Sequence, residues 1–145
     1  MRVSTPPPGP HLPFFVYGTL RPGEVNHDLF LLGRTLNEEP ALFPGAVLYD
    51  GPGYPYALEE PAGRVAGELV TARPEAYAGL LTELDRLEEY RPGDPRNLYE
   101  RVVREVMVGN GDRRAAWVYV AAPAVAARLR SRGRRIEGGD WRARR

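Results

Sequence analysis

The chain has no cysteine and no lysine. Without cysteine it can hold no disulfide, thiolate metal site or iron–sulfur cluster, and it has no thiol nucleophile. Without lysine, all 20 basic residues are arginine, set against 19 acidic residues for a net charge of +1. Glutamine is also missing and Ile136 is the only isoleucine, a pattern that a GC-rich coding bias accounts for without any function. Histidine is limited to His11 and His27, so a zinc or non-haem iron site would need mostly carboxylate ligands. No apolar run approaches the roughly 20 residues needed to cross a bilayer. The start of the chain lacks the apolar stretch of a signal peptide, so a cytoplasmic location is expected. No P-loop, G-x-G-x-x-G, H-E-x-x-H or G-x-S-x-G occurs, which removes several common enzyme classes.

What is there is one domain's worth of protein: 145 residues, 43% hydrophobic and 27% charged, enough to bury a core despite 16 glycines and 15 prolines. The charge is unevenly placed. Residues 128–145 carry eight arginines against Glu137 and Asp140, a balance of +6 that leaves −5 on the first 127 residues. An acidic body with a basic tail raises a nucleic-acid reading. Against it, Trp141 is the tail's only stacking aromatic, and no base-reading module is present. The acidic body should instead attract the tail, so packing on its own domain or on a partner subunit is expected.

Met1 to Pro13 reads as a disordered proline-rich leader, with the domain proper at 14–127 and the basic tail at 128–145. Phe14-Phe15-Val16-Tyr17, closed by Gly18, reads as a buried strand. A loop follows, then a short helix over His27–Leu32 on the surface, with Asn26 as N-cap and Gly33 as stop. From Arg34 to Thr71 short strands are expected at Ala46–Tyr49, Tyr56–Glu59 and Val65–Val70, separated by turns at Asp50-Gly51-Pro52-Gly53 and Pro61-Ala62-Gly63. Pro74 opens the main helix, whose apolar residues recur at Tyr77, Leu80, Leu81, Leu84 and Leu87, ending near Glu88 or Glu89. Tyr99–Val108 and Arg114–Val120 form a hairpin around Asn110-Gly111, and Pro123–Arg130 a last short helix. The class is α+β, with a mixed or barrel-like sheet.

Two places can carry chemistry. At Tyr17-Gly18-Thr19-Leu20 a buried strand stops at a glycine; this is either a plain turn or a set of free backbone N–H groups that can meet an oxygen of a ligand. At the end of the helix, Glu88 falls at the edge of the apolar stripe. It is either a solvated charge beside Glu89 or a partly desolvated carboxylate with a raised pKa, suited to general acid/base work. His27 reads as a solvent-facing or capping residue, and His11 as part of the leader. Thr19 has no partner to activate it as a nucleophile. Tyr99, Trp117 and Tyr119 read mostly as core, although a tyrosine hydroxyl facing a pocket can serve as a donor.

In combination the motifs are specific. Val-Tyr-Gly-Thr-Leu-Arg-Pro-Gly at 16–23 is followed by Asn26-His27, Gly67-Glu68-Leu69, the helix end Leu84-Asp85-Arg86-Leu87-Glu88, Tyr99-x-Arg101, Trp117-Val118-Tyr119 and Gly139-Asp140-Trp141. Their order and spacing resemble the γ-glutamylcyclotransferase-like (AIG2-like) family, nearest its γ-glutamylamine cyclotransferase branch and small bacterial members, over Phe14 to Trp141. The resemblance implies a mixed sheet curled into a small barrel, with one main helix and a pocket at the end of the first strand. It implies that Tyr17, Gly18, Thr19 and Leu20 bind the γ-glutamyl group largely through backbone N–H groups, that Glu88 is the catalytic glutamate, and that Tyr99 and Tyr119 line the pocket. Glu89 departs from the pattern, since many members have glycine or another small residue there. The implied reaction is cofactor- and metal-independent. The substrate's α-amine, freed of a proton by Glu88, closes on its own γ-carbonyl, giving 5-oxoproline and a free amine. The expected partner is a small γ-glutamyl molecule, with neither nucleic acid nor membrane; the leaving amine and the oligomeric state are not specified by the sequence. A non-catalytic ligand-binding module and nucleic-acid binding through the tail are the alternative readings.

Overall fold

The computed structural model of the chain describes residues 11–143. Most of the expected leader lies outside the described residues. Strand β1 (Phe14–Val16) is followed by β2 (Thr35–Tyr49), β3 (Tyr56–Ala72), helix α1 (Tyr77–Leu87), β4 (Tyr99–Val108), β5 (Asp112–Ala121), helix α2 (Pro123–Arg132) and β6 (Arg135–Ile136). Strand β1 pairs antiparallel with β3 and parallel with β5, at Phe14 opposite Trp117. Antiparallel pairs β5–β4, β4–β2 and β2–β3 complete a closed five-stranded ring, and β6 is added on β2. The fold is α+β with a mixed, barrel-like sheet. Closure removes the open edges that a sheet of this size would otherwise expose.

Alternate side chains along each strand point to opposite faces. Phe15, Tyr17, Phe43, Leu48, Val65 and Val118 belong to one buried cluster, formed from strand residues and Trp141, which fills the barrel. Phe14, Val16, Tyr99 and Tyr119 face a second cluster, capped by Leu80 and Leu84 of α1 and Val125 and Leu129 of α2. Strand β1 is thus buried on both sides, which explains an apolar run with no polar alternation. Leu80 and Leu84 are wholly buried, and each such side chain contributes about 1.5–3 kcal/mol.

The region 34–72 differs from the sequence reading. In place of three short strands there are two long ones, paired from Thr35–Ala72 to Tyr49–Tyr56. Pro61-Ala62-Gly63 does not divide strands. It lies within a bulge where the partner of β2 jumps from Arg64 at Pro44 to Glu59 at Ala46. A Cβ on Gly63 would sit 2.2 Å from the Ala46 carbonyl oxygen, so the glycine answers a close approach of two strands. The segment after Asn26 is a single π-helical turn, His27–Leu31; Asn26 stands at its N-cap position, but its side chain makes no capping hydrogen bond. Its Nδ2 donates instead to Thr19 Oγ1 at 2.7 Å. His27 is not a solvent residue either. It is 8% exposed, with Nε2 2.8 Å from Glu38 Oε1, because this turn packs Leu31 and His27 inward. His11, assigned by its neighbours to the leader, stacks on Tyr77 at 4.1 Å.

The described part of the basic segment is folded onto the barrel. Leu129, Ile136 and Trp141 are buried. Arg130 Nη2 donates to the Glu59 carbonyl, while Arg135 faces Glu60 and Arg142 faces Glu24.

Gly67 tests the β1–β3 contact. A Cβ there would lie 2.2 Å from the Val16 carbonyl oxygen. Gly67→Ala is expected to cost about 1–3 kcal/mol through overpacking, seen as a lower thermal midpoint. A variant that melts with the wild type would contradict this pairing.

Candidate active site

Helix α1 ends in a pattern set by hydrogen bonds. Tyr90 N–H donates to the Asp85 carbonyl at 2.8 Å and Glu89 N–H to the Arg86 carbonyl at 3.1 Å. These are the two bonds of a Schellman motif, with Glu88 as the C-cap residue and Glu89 in the left-handed region at φ 54°. Glycine suits that position. A glutamate there costs about 1–2 kcal/mol. The reversal carries the chain away from the helix and leaves the Glu88 side chain in a cavity of about 370 Å³ at the end of β1.

The residues that the resemblance assigns to the site all line this one cavity: Tyr17, Gly18, Thr19, Leu20, Glu88, Tyr99 and Tyr119. Tyr54, Pro55 and Leu98 line it too. No motif in the sequence marks them, because their place depends on chain reversals between β2 and β3 and before β4. Among the described residues Glu88 and Glu89 are the charged groups in the lining, and no arginine or histidine contributes. A second, polar groove of about 680 Å³ beyond Glu89 has charges that answer one another, such as Asp94 with Arg96.

The Glu88 carboxyl can be reached through the cavity mouth but is surrounded by protein elsewhere. It makes no hydrogen bond or ion pair among the described residues. Loss of hydration pushes its pKa up to about 7. The hydroxyls around it stay protonated. Burial raises the Tyr17, Tyr99 and Tyr119 pKa values, and the nearby Glu88 charge adds to each.

Those hydroxyls are already engaged with the protein. Tyr17 OH donates to the Tyr119 carbonyl and accepts from Ala57 N–H. Tyr99 OH donates to the Pro55 carbonyl at 2.8 Å. Tyr119 OH donates to Asp85 Oδ1 at 2.6 Å, and the same oxygen receives Arg101 Nε at 2.8 Å. The Arg101 guanidinium lies 4.1 Å from the Trp117 ring centroid. The three tyrosines therefore fix the walls, and the proton of each hydroxyl is already donated to the protein.

Residues 18–20 lie past the end of the β1 ladder. The turn that follows uses their carbonyls as acceptors: Gly18 O receives Arg21 N–H at 3.1 Å and Thr19 O receives Asn26 N–H at 3.1 Å. A Cβ at position 18 would lie 2.8 Å from Cδ of Pro55, so glycine there answers a close approach of the opposite wall of the cavity. Among the described residues no group of three or more His, Asp or Glu side chains is arranged to hold a metal, and no helix is long and apolar enough to cross a membrane.

A pocket holding one desolvated carboxylate beside a strand end defines a class that comparison makes specific. The family model for γ-glutamyl cyclotransferases of the AIG2-like type matches residues 14–143, and the chain belongs to that family. It is 41% identical over 107 residues, 73% of its length, to the γ-L-glutamyl-butirosin B γ-glutamyl cyclotransferase of Niallia circulans, of which the match spans 64%. An uncharacterized protein from Pyrococcus horikoshii has a similar structure, with TM-score 0.56 and 27% identity over 90% of this chain and 89% of that one. An AIG2-like protein from Mus musculus shares the fold, with TM-score 0.59 and 24% identity over 79% of this chain and 82% of that one.

Two measurements check the geometry. Glu89→Gly relieves the left-handed glutamate and is expected to raise stability by about 1 kcal/mol; a lowered melting temperature would contradict the cap. For Glu88, the folded pKa near 7 lies above the ordinary value of 4.5. The folded state then holds the extra proton between these values, so this group's contribution is full below pH 4.5 and is lost as pH rises through 7. Relative to Glu88→Gln, the wild type should lose up to about 3 kcal/mol between pH 5 and 8 in urea melts. Parallel pH dependences would mean that Glu88 is solvated.

Proposed function

We propose that the protein is a γ-glutamyl cyclotransferase that converts a γ-glutamyl amine to 5-oxoproline and the free amine, with Glu88 as general acid and base. The observation that carries this reading is the unpaired Glu88 carboxylate, with its pKa near 7, in the same cavity as the open backbone at Gly18–Leu20. The substrate's α-ammonium cannot attack while it is protonated. Glu88 takes a proton from it, the amine closes on the γ-carbonyl carbon, and negative charge develops on the carbonyl oxygen. Backbone N–H groups of residues 18–20 are suited to hold that oxygen or the α-carboxylate. Over the whole reaction the attacking nitrogen gives up two protons and the departing nitrogen takes up two as the C–N bond breaks. One carboxyl group that titrates near neutrality can carry both in turn. Because the attack is intramolecular, holding the glutamyl chain folded supplies much of the acceleration.

The lining also favours a class of leaving group. Among the described residues the cavity's charged groups are Glu88 and Glu89, with no cation to pair with a carboxylate on the leaving side. That favours an amine over an amino acid. The relative from Niallia circulans is named for γ-L-glutamyl-butirosin B.

The test is 5-oxoproline release by the purified full chain from γ-glutamyl-n-butylamide and from γ-glutamylalanine. The butylamide should be the better substrate, and kcat/KM should climb as pH rises through about 7. Glu88→Gln should lower turnover by roughly two to four powers of ten, while Glu89→Gln keeps the rate within about threefold. No 5-oxoproline from either compound, or wild-type turnover by Glu88→Gln, would overturn the reading.

A further inference from the structure

Arg21 follows Leu20 directly yet does not line the cavity, and it is only 6% exposed. Its guanidinium is divided between two carboxylates from distant parts of the chain. Nε and Nη2 donate to Glu68 of β3 at 2.8 and 3.2 Å, and Nη1 donates to Asp140 at 2.8 Å. Glu68 is the ladder partner of Val16, so this half of the pair ties the loop after β1 to the strand beside it. Asp140 lies in the C-terminal segment, and its Oδ1 also receives the Arg142 N–H at 2.9 Å. Arg142 in turn reaches Glu24, at 3.4 Å, in the same loop.

The segment that supplies Asp140 is itself firmly seated. Trp141 is buried in the barrel cluster. Gly139 has φ +70°, and a Cβ there would lie 2.0 Å from the Arg64 carbonyl oxygen, so only glycine lets the chain lie this close to β3. Arg21 is also part of the loop's own bonding, since its N–H donates to the Gly18 carbonyl and its carbonyl receives Glu24 N–H. The backbone of residues 18–20 therefore hangs between β1 on one side and an arginine anchored at two points on the other.

We propose that Arg21, Glu68 and Asp140 form a clasp that positions the Gly18–Leu20 backbone for binding the γ-glutamyl group, with the C-terminal segment as a working part of the site. Its catalytic consequence rests on the cyclotransferase reading; its effect on the loop does not. Arg21 is a positioning residue in this arrangement. The planar guanidinium is what allows it to bridge two carboxylates at once, which a lysine ammonium does less well.

The test compares Asp140→Asn and Arg21→Lys with wild type and with Arg113→Ala, an exposed control. Both clasp variants keep side-chain length and a donor or acceptor, so folding should survive. Amide exchange in residues 18–26 is expected to quicken at least about tenfold while β4 and β5 stay as protected as in the wild type. In the turnover assay kcat should fall about ten- to a hundredfold, with KM within about threefold and the rise near pH 7 unmoved. Unchanged exchange at 18–26 in both variants overturns the clasp. So does exchange that quickens equally across β4–β5, which marks a general structural role, or faster local exchange with wild-type kcat. If the wild type itself makes no 5-oxoproline, the cyclotransferase reading fails, and local exchange alone decides the clasp.

Discussion

Burial of β1 on both faces is the constraint on which the rest depends. Three residues, Phe14, Phe15 and Val16, supply side chains to the barrel interior and to the helix-covered outer core. Their backbone joins β3 to β5 and so closes the ring. A strand this short cannot hold such a place by hydrogen bonds alone. Its aromatic side chains hold it, and the chain leaves the ladder at the point where the cavity opens.

The chemistry of the site follows from dehydration more than from pairing. Among the described residues Glu88 has no cationic partner, and the hydroxyls of the tyrosines that line its cavity are committed elsewhere. A carboxylate in that setting is held close to the midpoint of its titration at neutral pH. The Schellman turn is what brings it there, even with a glutamate in a left-handed conformation beside it. That local strain accompanies the placement of the one side chain with a matched pKa.

Electrostatics at longer range assemble the other wall. The acidic body and the arginine-rich end of the chain meet at Glu60 and Glu24, at the backbone carbonyl of Glu59, and at the buried Arg21 between Glu68 and Asp140. Exposed pairs of this kind contribute little each. The buried one is different, because its members have exchanged water for one another and must stay together.

Much was legible in the sequence. Apolar spacing marked α1, the unbroken apolar run marked β1 and Asn110-Gly111 marked the hairpin, while the edge position of Glu88 on the helical stripe left a solvated and a desolvated carboxylate both open. These are local properties: periodicity, backbone preference and composition act over a few residues. Other features were set by tertiary contact. Pro61-Ala62-Gly63 carries turn chemistry, yet two long strands pair past it and turn it into a bulge. Gly18 was legible as a special position, but not its contact with the ring of Pro55 some forty positions on. Asn26 has the side chain of a helix cap and spends it on Thr19, and His27 is drawn inward by Glu38. Arg21, Glu68 and Asp140 are ordinary charges in the sequence. Barrel closure brings them within hydrogen-bond reach, because only the folded chain excludes the water that would otherwise solvate each alone.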